Sequence, residues 1–162
     1  MRLIPLTQDH HAAIARIYLE GIETGNATFE TQAPDWEKWD KGHLQHCRIV
    51  AEVDNKVAGW AALSPVSGRC VYGGVAEVSV YIGTEFRGKG IGKVLLEELI
   101  TQSEQNGLWT LQSGIFPENV SSIRLHEQCG FRRIGFREKV GQLGGKWRDT
   151  IQFERRSKVV GV

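Results

Sequence analysis

Val78-Ser79-Val80-Tyr81-Ile82, then Gly83-Thr84-Glu85-Phe86, then Arg87-Gly88-Lys89-Gly90-Ile91-Gly92-Lys93: this one stretch sets the reading of the whole chain. Ala76, Val78, Val80 and Ile82 alternate with Glu77, Ser79 and Tyr81, so the segment reads as a strand with one apolar face. Three glycines in five residues then break the chain into a turn. From Ile91 the period changes to helical, with Ile91, Leu95 and Leu99 on one face and Val94 beside them, until Asn106-Gly107 ends it. A strand feeding a tight turn and a long helix is the unit around which the other segments are arranged.

Outward from that unit, Arg2 to Leu6 reads as a strand and Asp9 as the cap of a helix running to about Glu20. Gly21 to Ala33 is a loop rich in Gly, Thr and Asn, and Pro34 to His46 a second helix. Arg48 to Val53 and Lys56 to Leu63 pair as a hairpin through Asp54-Asn55. After the loop Ser64 to Gly74 and the central unit, Leu108 to Ile115 is a strand. Asn119 to Cys129 is a helix closed by Gly130, and Phe131 to Val140 with Lys146 to Glu154 form a last strand pair. The order β-α-α-β-β-β-α-β-α-β-β predicts an α/β (α+β) mixed sheet with helices on both faces. Residues 1–156 form one domain, and 157–162 a frayed tail.

The chain has 162 residues, with 20 Lys and Arg against 19 Asp and Glu. So balanced a chain projects no global field toward nucleic acid or membrane; an anion site must be a local cluster. Cys47, Cys70 and Cys129 lack metal-ligand spacing and, being odd in number, do not form a disulfide framework, so no metal and a reducing cytoplasm are expected. Met1-Arg2-Leu3-Ile4-Pro5 lacks the apolar stretch of a signal peptide, and no run approaches the roughly 20 apolar residues of a membrane span.

At the central turn, N–H groups at a helix start attract anions, and Arg87, Lys89 and Lys93 add positive charge around them. Gly83 to Gly90 is near the P-loop pattern, but Gly90 stands where a Mg²⁺-binding Ser or Thr belongs. A metal-independent pyrophosphate cradle is the better expectation, with a plain surface turn and a nucleotide hydrolase as the alternatives. Glu77 is a carboxylate in an otherwise apolar strand. Such a group is costly unless paired or used, so it is either an ion-pair partner of a cation such as Arg69 or a working base.

The pattern Arg87-x-x-Gly90-x-Gly92 after a strand is similar to the acyl-CoA signature of the GNAT superfamily of N-acetyltransferases. Asn119 to Phe131 resembles that superfamily's later helix with its closing Gly-Phe pair. Arg69-Cys70-Val71-Tyr72, Ala76 to Ile82, Leu125-His126-Glu127, Gly145 to Asp149 and Ala27-Thr28-Phe29 resemble the branch that acetylates phosphinothricin, methionine sulfone or sulfoximine, and related amino acids. The likeness runs to about Glu154.

The resemblance implies the GNAT fold, with a splayed, mostly antiparallel central sheet, and acetyl-CoA as cosubstrate. It also implies a small amino-acid-like acceptor and a homodimer. It assigns the backbone of Val80, Tyr81 and Ile82 to the pantetheine arm, and Arg87, Gly88, Lys89, Gly90, Ile91, Gly92 and Lys93 to the pyrophosphate. Asn119 and Ser122 fall at further cofactor positions, although their bare reading is a helix cap and a first-turn residue. Glu77 becomes the candidate general base. His126 falls where many members carry a tyrosine that protonates the departing thiolate, though a helical His is more often simply buried. Phe29, Arg69 and Tyr72 fall at substrate positions, Arg69 suited to grip a carboxylate. Phe29 and Trp36 are the expected aromatic walls, ordinary core packing being the alternative for both. Leu143-Gly144-Gly145 stands where some branch members have a histidine. A non-catalytic acyl-CoA sensor and a peptide acetyltransferase remain alternative uses of the same fold.

Overall fold

In the computed structural model, which describes residues 1–162, the central unit forms as the spacing predicts: strand β4 spans Val75–Ile82 and helix α3 spans Ile91–Gln105. Around them lie β1 (Arg2–Pro5), α1 (His11–Glu23), α2 (Trp36–Gly42), β2 (Ile49–Val53) and β3 (Lys56–Pro65), then β5 (Thr110–Ile115), α4 (Val120–Gln128), β6 (Arg132–Leu143) and β7 (Lys146–Arg156). One sheet has the order β1-β2-β3-β4-β5-β7-β6. Every pairing is antiparallel except β4 with β5, which α3 joins as a crossover. The β2–β3 hairpin turns on Asp54 and Asn55 with φ of 50° and 61°, the left-handed pair that a two-residue hairpin needs.

Alternation along β2 and β3 sends side chains to two cores. Ile49, Ala51, Ala61 and Leu63 pack with Leu95, Leu96 and Leu99 of α3, while Val50, Trp60 and Ala62 pack with Ile14 and Ile17 of α1. Helices therefore cover both faces, as expected. On α3 the buried stripe includes Leu96 and Ile100, wider than the expected face. No helix is long and apolar enough to cross a membrane.

Three expectations need correction. Asp9 is not a cap: it lies in a 3-10 turn (Gln8–His10) ahead of α1, and the ring of His10 accepts the Thr7 N–H at 3.0 Å. The second helix is only Trp36–Gly42, not Pro34 to His46. Asp35 caps it by accepting the Lys38 N–H at 2.9 Å. At its other end the Arg48 guanidinium donates to the carbonyls of Asp40 at 3.0 Å and His43 at 3.1 Å, which satisfies them without a further helical turn. Residues 157–162 are not frayed. Ser157 is buried, its N–H donates to the Trp109 carbonyl at 2.8 Å, and Arg156 donates to the carbonyls of Val160 at 2.8 Å and Gly161 at 2.6 Å.

Two histidines are built into the fold in the same way. Nδ1 of His43 lies 2.6 Å from the Trp39 carbonyl, and Nδ1 of His126 lies 2.7 Å from the Ser122 carbonyl. A carbonyl only accepts, so Nδ1 carries the proton in both rings. Burial holds both imidazoles below their ordinary pKa and outweighs the carbonyl hydrogen bonds, which pull the other way.

Leu99→Ala at the centre of the α3 core is expected to cost about 3 kcal/mol of stability by urea unfolding. An unfolded chain takes up protons at these histidines near pH 6.5 that the folded chain refuses, so stability falls as the pH drops through about 6.5. Unfolding at pH 7.5 and 5.5 will show this loss, and His126→Gln will make it smaller.

Candidate active site

The ladder between β4 and β5 is short. It joins Val75, Ala76 and Glu77 to Thr110, Leu111 and Gln112, and stops. β4 continues to Ile82 paired only with β3, and β5 continues to Ile115 paired only with β7. A gap therefore opens between Val78–Ile82 and Ser113–Ile115, and along it the backbone of β4 has no ladder partner. Both edges line a cleft of about 1590 Å³. Ordinary small-molecule pockets are roughly 300–1,000 Å³, so this one has room for two ligands end to end.

One end of the cleft is main chain. Val80, Tyr81 and Ile82 line its strand wall, and Arg87, Gly88, Gly90, Ile91, Gly92 and Lys93 its turn. Gly88 and Gly90 have φ of 75° and 79°, so the turn uses two left-handed residues in three. Gly90 is the N-cap of α3 and offers no side chain, which leaves the first helical N–H groups free for a ligand. Arg87 donates from Nε to the Ile82 carbonyl at 3.2 Å, which ties its guanidinium to the end of β4. Lys89 is the exception: its ammonium lies over the Phe86 ring at 5.4 Å, and it does not line the cleft. Asn119, Ser122 and His126 of the α4 segment face the same cleft. Asn119 Oδ1 accepts the Ser122 N–H at 3.2 Å, the cap expected from sequence.

The other end is aromatic. Tyr81 stacks on Trp60 at 5.1 Å and meets Tyr18 edge-on at 4.9 Å, and the Tyr18 hydroxyl lies 3.3 Å from that of Thr28. Burial raises the pKa of both tyrosines, so they stay protonated. Phe29 lines this end, edge-on to Phe116 at 4.8 Å. Trp36 does not; it stacks on Trp39 at 5.3 Å, and Trp39 is the wall residue. Trp39 and Trp60 line the cleft from the core packed on α1, only 4% and 2% exposed, and nothing in their sequence spacing marks them as wall residues.

Glu77 sits where the ladder ends, exposed to the cleft. It forms no ion pair. The partner considered for it, Arg69, lies over the ring of Tyr72 at 5.5 Å. Arg69 and Tyr72 belong to the exposed loop after β3, and neither lines the cleft. They stand apart from the cleft, whereas the resemblance implied a substrate position for both. His126 is only 4% exposed, and its Nε2 is buried without a hydrogen-bond partner. That nitrogen carries no proton in the tautomer set by Ser122.

Comparison with known proteins agrees with this geometry. Residues 8–131 match the acetyltransferase (GNAT) family. Phosphinothricin N-acetyltransferase of Alcaligenes faecalis is 33% identical over 157 residues, covering 91% of this chain and 78% of that protein. A GNAT superfamily phosphinothricin acetyltransferase from Sinorhizobium meliloti, solved in complex with acetyl-CoA, superposes with a TM-score of 0.88 at 30% identity, over 99% of this chain and 90% of that one. A ribosomal-protein-alanine N-acetyltransferase from Brucella melitensis gives a TM-score of 0.88 at 28% identity, over 97% and 100% of the two chains. The unpaired strand edge and the left-handed turn at a helix start fit a pantetheine arm and a pyrophosphate, and no group of three or more His, Cys, Asp or Glu is placed to hold a metal. The chain belongs to the GNAT family and is an acetyl-CoA-dependent N-acetyltransferase.

Proposed function

We propose that the protein acetylates the amine of a small amino acid or analogue, of the phosphinothricin, methionine sulfone or methionine sulfoximine type, by direct attack in a ternary complex. The observation that carries the reading is an unpaired carboxylate, Glu77, at the junction of a main-chain groove and an aromatic chamber. Acetyl-CoA supplies the acetyl thioester. Gly88 and Gly90 to Lys93 hold its pyrophosphate through main-chain N–H groups, and the free edge of Val80 to Ile82 holds its arm. An amine at pH 7 is mostly protonated, and only its neutral form attacks. Glu77 takes the proton that the acceptor nitrogen sheds, directly or through one water, a step worth about 10²–10⁴ in rate. A backbone N–H near Val78 or Ser79 faces the carbonyl oxygen as it gains charge. A thiol near its ordinary pKa of about 8.5 departs as thiolate without a protein acid. His126, buried and unprotonated at Nε2, therefore supports α4 rather than supplying a proton.

A peptide N-terminus is the rival acceptor, favoured by the likeness to the Brucella melitensis protein. The loop 24–35 with Phe29 walls the acceptor end and favours the free amino acid. The free thiols Cys47, Cys70 and Cys129 support a reducing cytoplasm. The edge strand β6 exposes Ile134, Phe136 and Val140, with Trp147 exposed on the start of β7 beside it. An apolar edge of this kind is covered in a stable protein, which supports a homodimer.

Thiol release from acetyl-CoA is expected to be at least tenfold more efficient with one of the three analogues than with a peptide bearing an N-terminal alanine, and the reverse order overturns the acceptor class. Glu77→Gln is expected to lower kcat by about 10²–10³ while leaving the acetyl-CoA Kd within twofold by calorimetry. Unchanged turnover removes Glu77 from its role. Phe136→Asp is expected to halve the solution mass by light scattering.

A further inference from the structure

The acceptor end is walled by a loop, residues 24–35, that has no ladder or helix of its own. Two side chains of α1 touch it, Tyr18 at the Thr28 hydroxyl (3.3 Å) and His11 at the Pro34 carbonyl (3.1 Å), and its Gly25-Asn26 corner is held from much later in the chain. Arg148, near the start of β7, donates from Nη1 to the Gly25 carbonyl at 2.8 Å and from Nη2 to Asn26 Oδ1 at 2.7 Å. Asn119 donates from Nδ2 to the Asn26 carbonyl at 3.0 Å, while its Oδ1 caps α4. The Asn26 N–H donates to Thr24 Oγ1 at 3.2 Å. Asn26 thus has its N–H, its carbonyl and its Oδ1 all bound, two of them by β7 and by the N-cap of α4.

The aromatic layer repeats the arrangement. The Arg148 guanidinium lies over Phe116 at 4.2 Å, with Glu118 Oε2 at 3.3 Å. Phe116 meets Phe29, and Phe29 lies so close under Gly141 that an added Cβ there would stand 2.9 Å from its ring. Arg148 itself is mostly buried and does not line the cleft. It touches no reacting group.

We propose that Arg148 is a positioning residue, and that together with Asn119 it brackets Asn26 so that the acceptor loop and the start of α4 move as one unit. The inference rests on the reading of that chamber as the acceptor site. Because α4 begins on the cofactor side of the cleft, a ligand that fixes its first turn also fixes the loop 24–33. Acetyl-CoA then prepares the chamber for the acceptor, and by reciprocity the acceptor tightens acetyl-CoA. Arginine is suited to this bracket because its planar fork reaches a carbonyl and an amide oxygen at once, which one ammonium does not.

Hydrogen–deuterium exchange on the whole protein tests the coupling without reference to the acceptor. In the unaltered chain, acetyl-CoA slows exchange of amides 24–33 together with 88–93. In Arg148→Ala, amides 24–33 exchange at least tenfold faster and acetyl-CoA no longer slows them, while 88–93 remain protected. Steady-state rates then show the acceptor KM raised about tenfold and the acetyl-CoA KM within twofold, and Arg148→Lys restores part of the difference. If Arg148→Ala does not fold, Asn26→Ala, which deletes only the loop's Oδ1 acceptor, shows the same pattern to a smaller degree. Loop exchange unchanged in the variant that folds overturns the proposal, as does loss of protection at 88–93 in parallel with the loop. Altered exchange with no acceptor that turns over instead overturns the substrate reading and leaves the bracket standing.

Discussion

A sheet that stops pairing partway is the constraint on which this molecule is organised. The β4–β5 ladder gives up after Glu77, and the backbone groups beyond it would be costly if buried without partners. The cleft is the answer to that cost: a ligand rich in amides, such as a pantetheine arm, completes the bonding that β5 leaves off. The same divergence exposes Glu77 at the point where the two strands part, so one topological event creates the groove and uncovers a carboxylate at its inner end.

The two ends of the cleft are made of different material for physical reasons. A pyrophosphate is the same in every turnover, and main-chain N–H groups on a rigid turn suit it. The chain needs no large positive field for this, which agrees with its net charge of +1. Side chains on a loop suit a ligand recognised by its shape, provided that something stiff holds the loop. Here the loop is tied to β7 and to the start of α4 through Arg148 and Asn119, and to α1 through Tyr18 and His11.

How much of this was legible in the sequence depended on how local the cause was. The β4–turn–α3 unit was readable to within one residue because alternation, three glycines and a 3.6-residue period all lie close together in the chain. The Asp54-Asn55 hairpin and the Asn119 cap were readable for the same reason. The helix after Pro34 was misjudged because a side chain outside it, Arg48, takes over its last carbonyls. The tail was misjudged because Arg156 and Trp109 hold it. Arg69 and Tyr72 were assigned to the substrate by likeness alone, and in the structure they lie on an exposed loop outside the cleft lining. The bracket on Asn26 had no signal at all in the sequence, since its members are separated by more than 90 positions.

The sheet order has one more consequence. β7 is the last strand to be made, yet it lies between β5 and β6 and carries the guanidinium that the loop after α1 waits for. Until β7 docks, β5 has no neighbour on that side and β6 has none at all, so this half of the sheet closes only when β7 is in place. Closure of this half of the sheet is thereby tied to the arrival of Arg148 at the loop after α1.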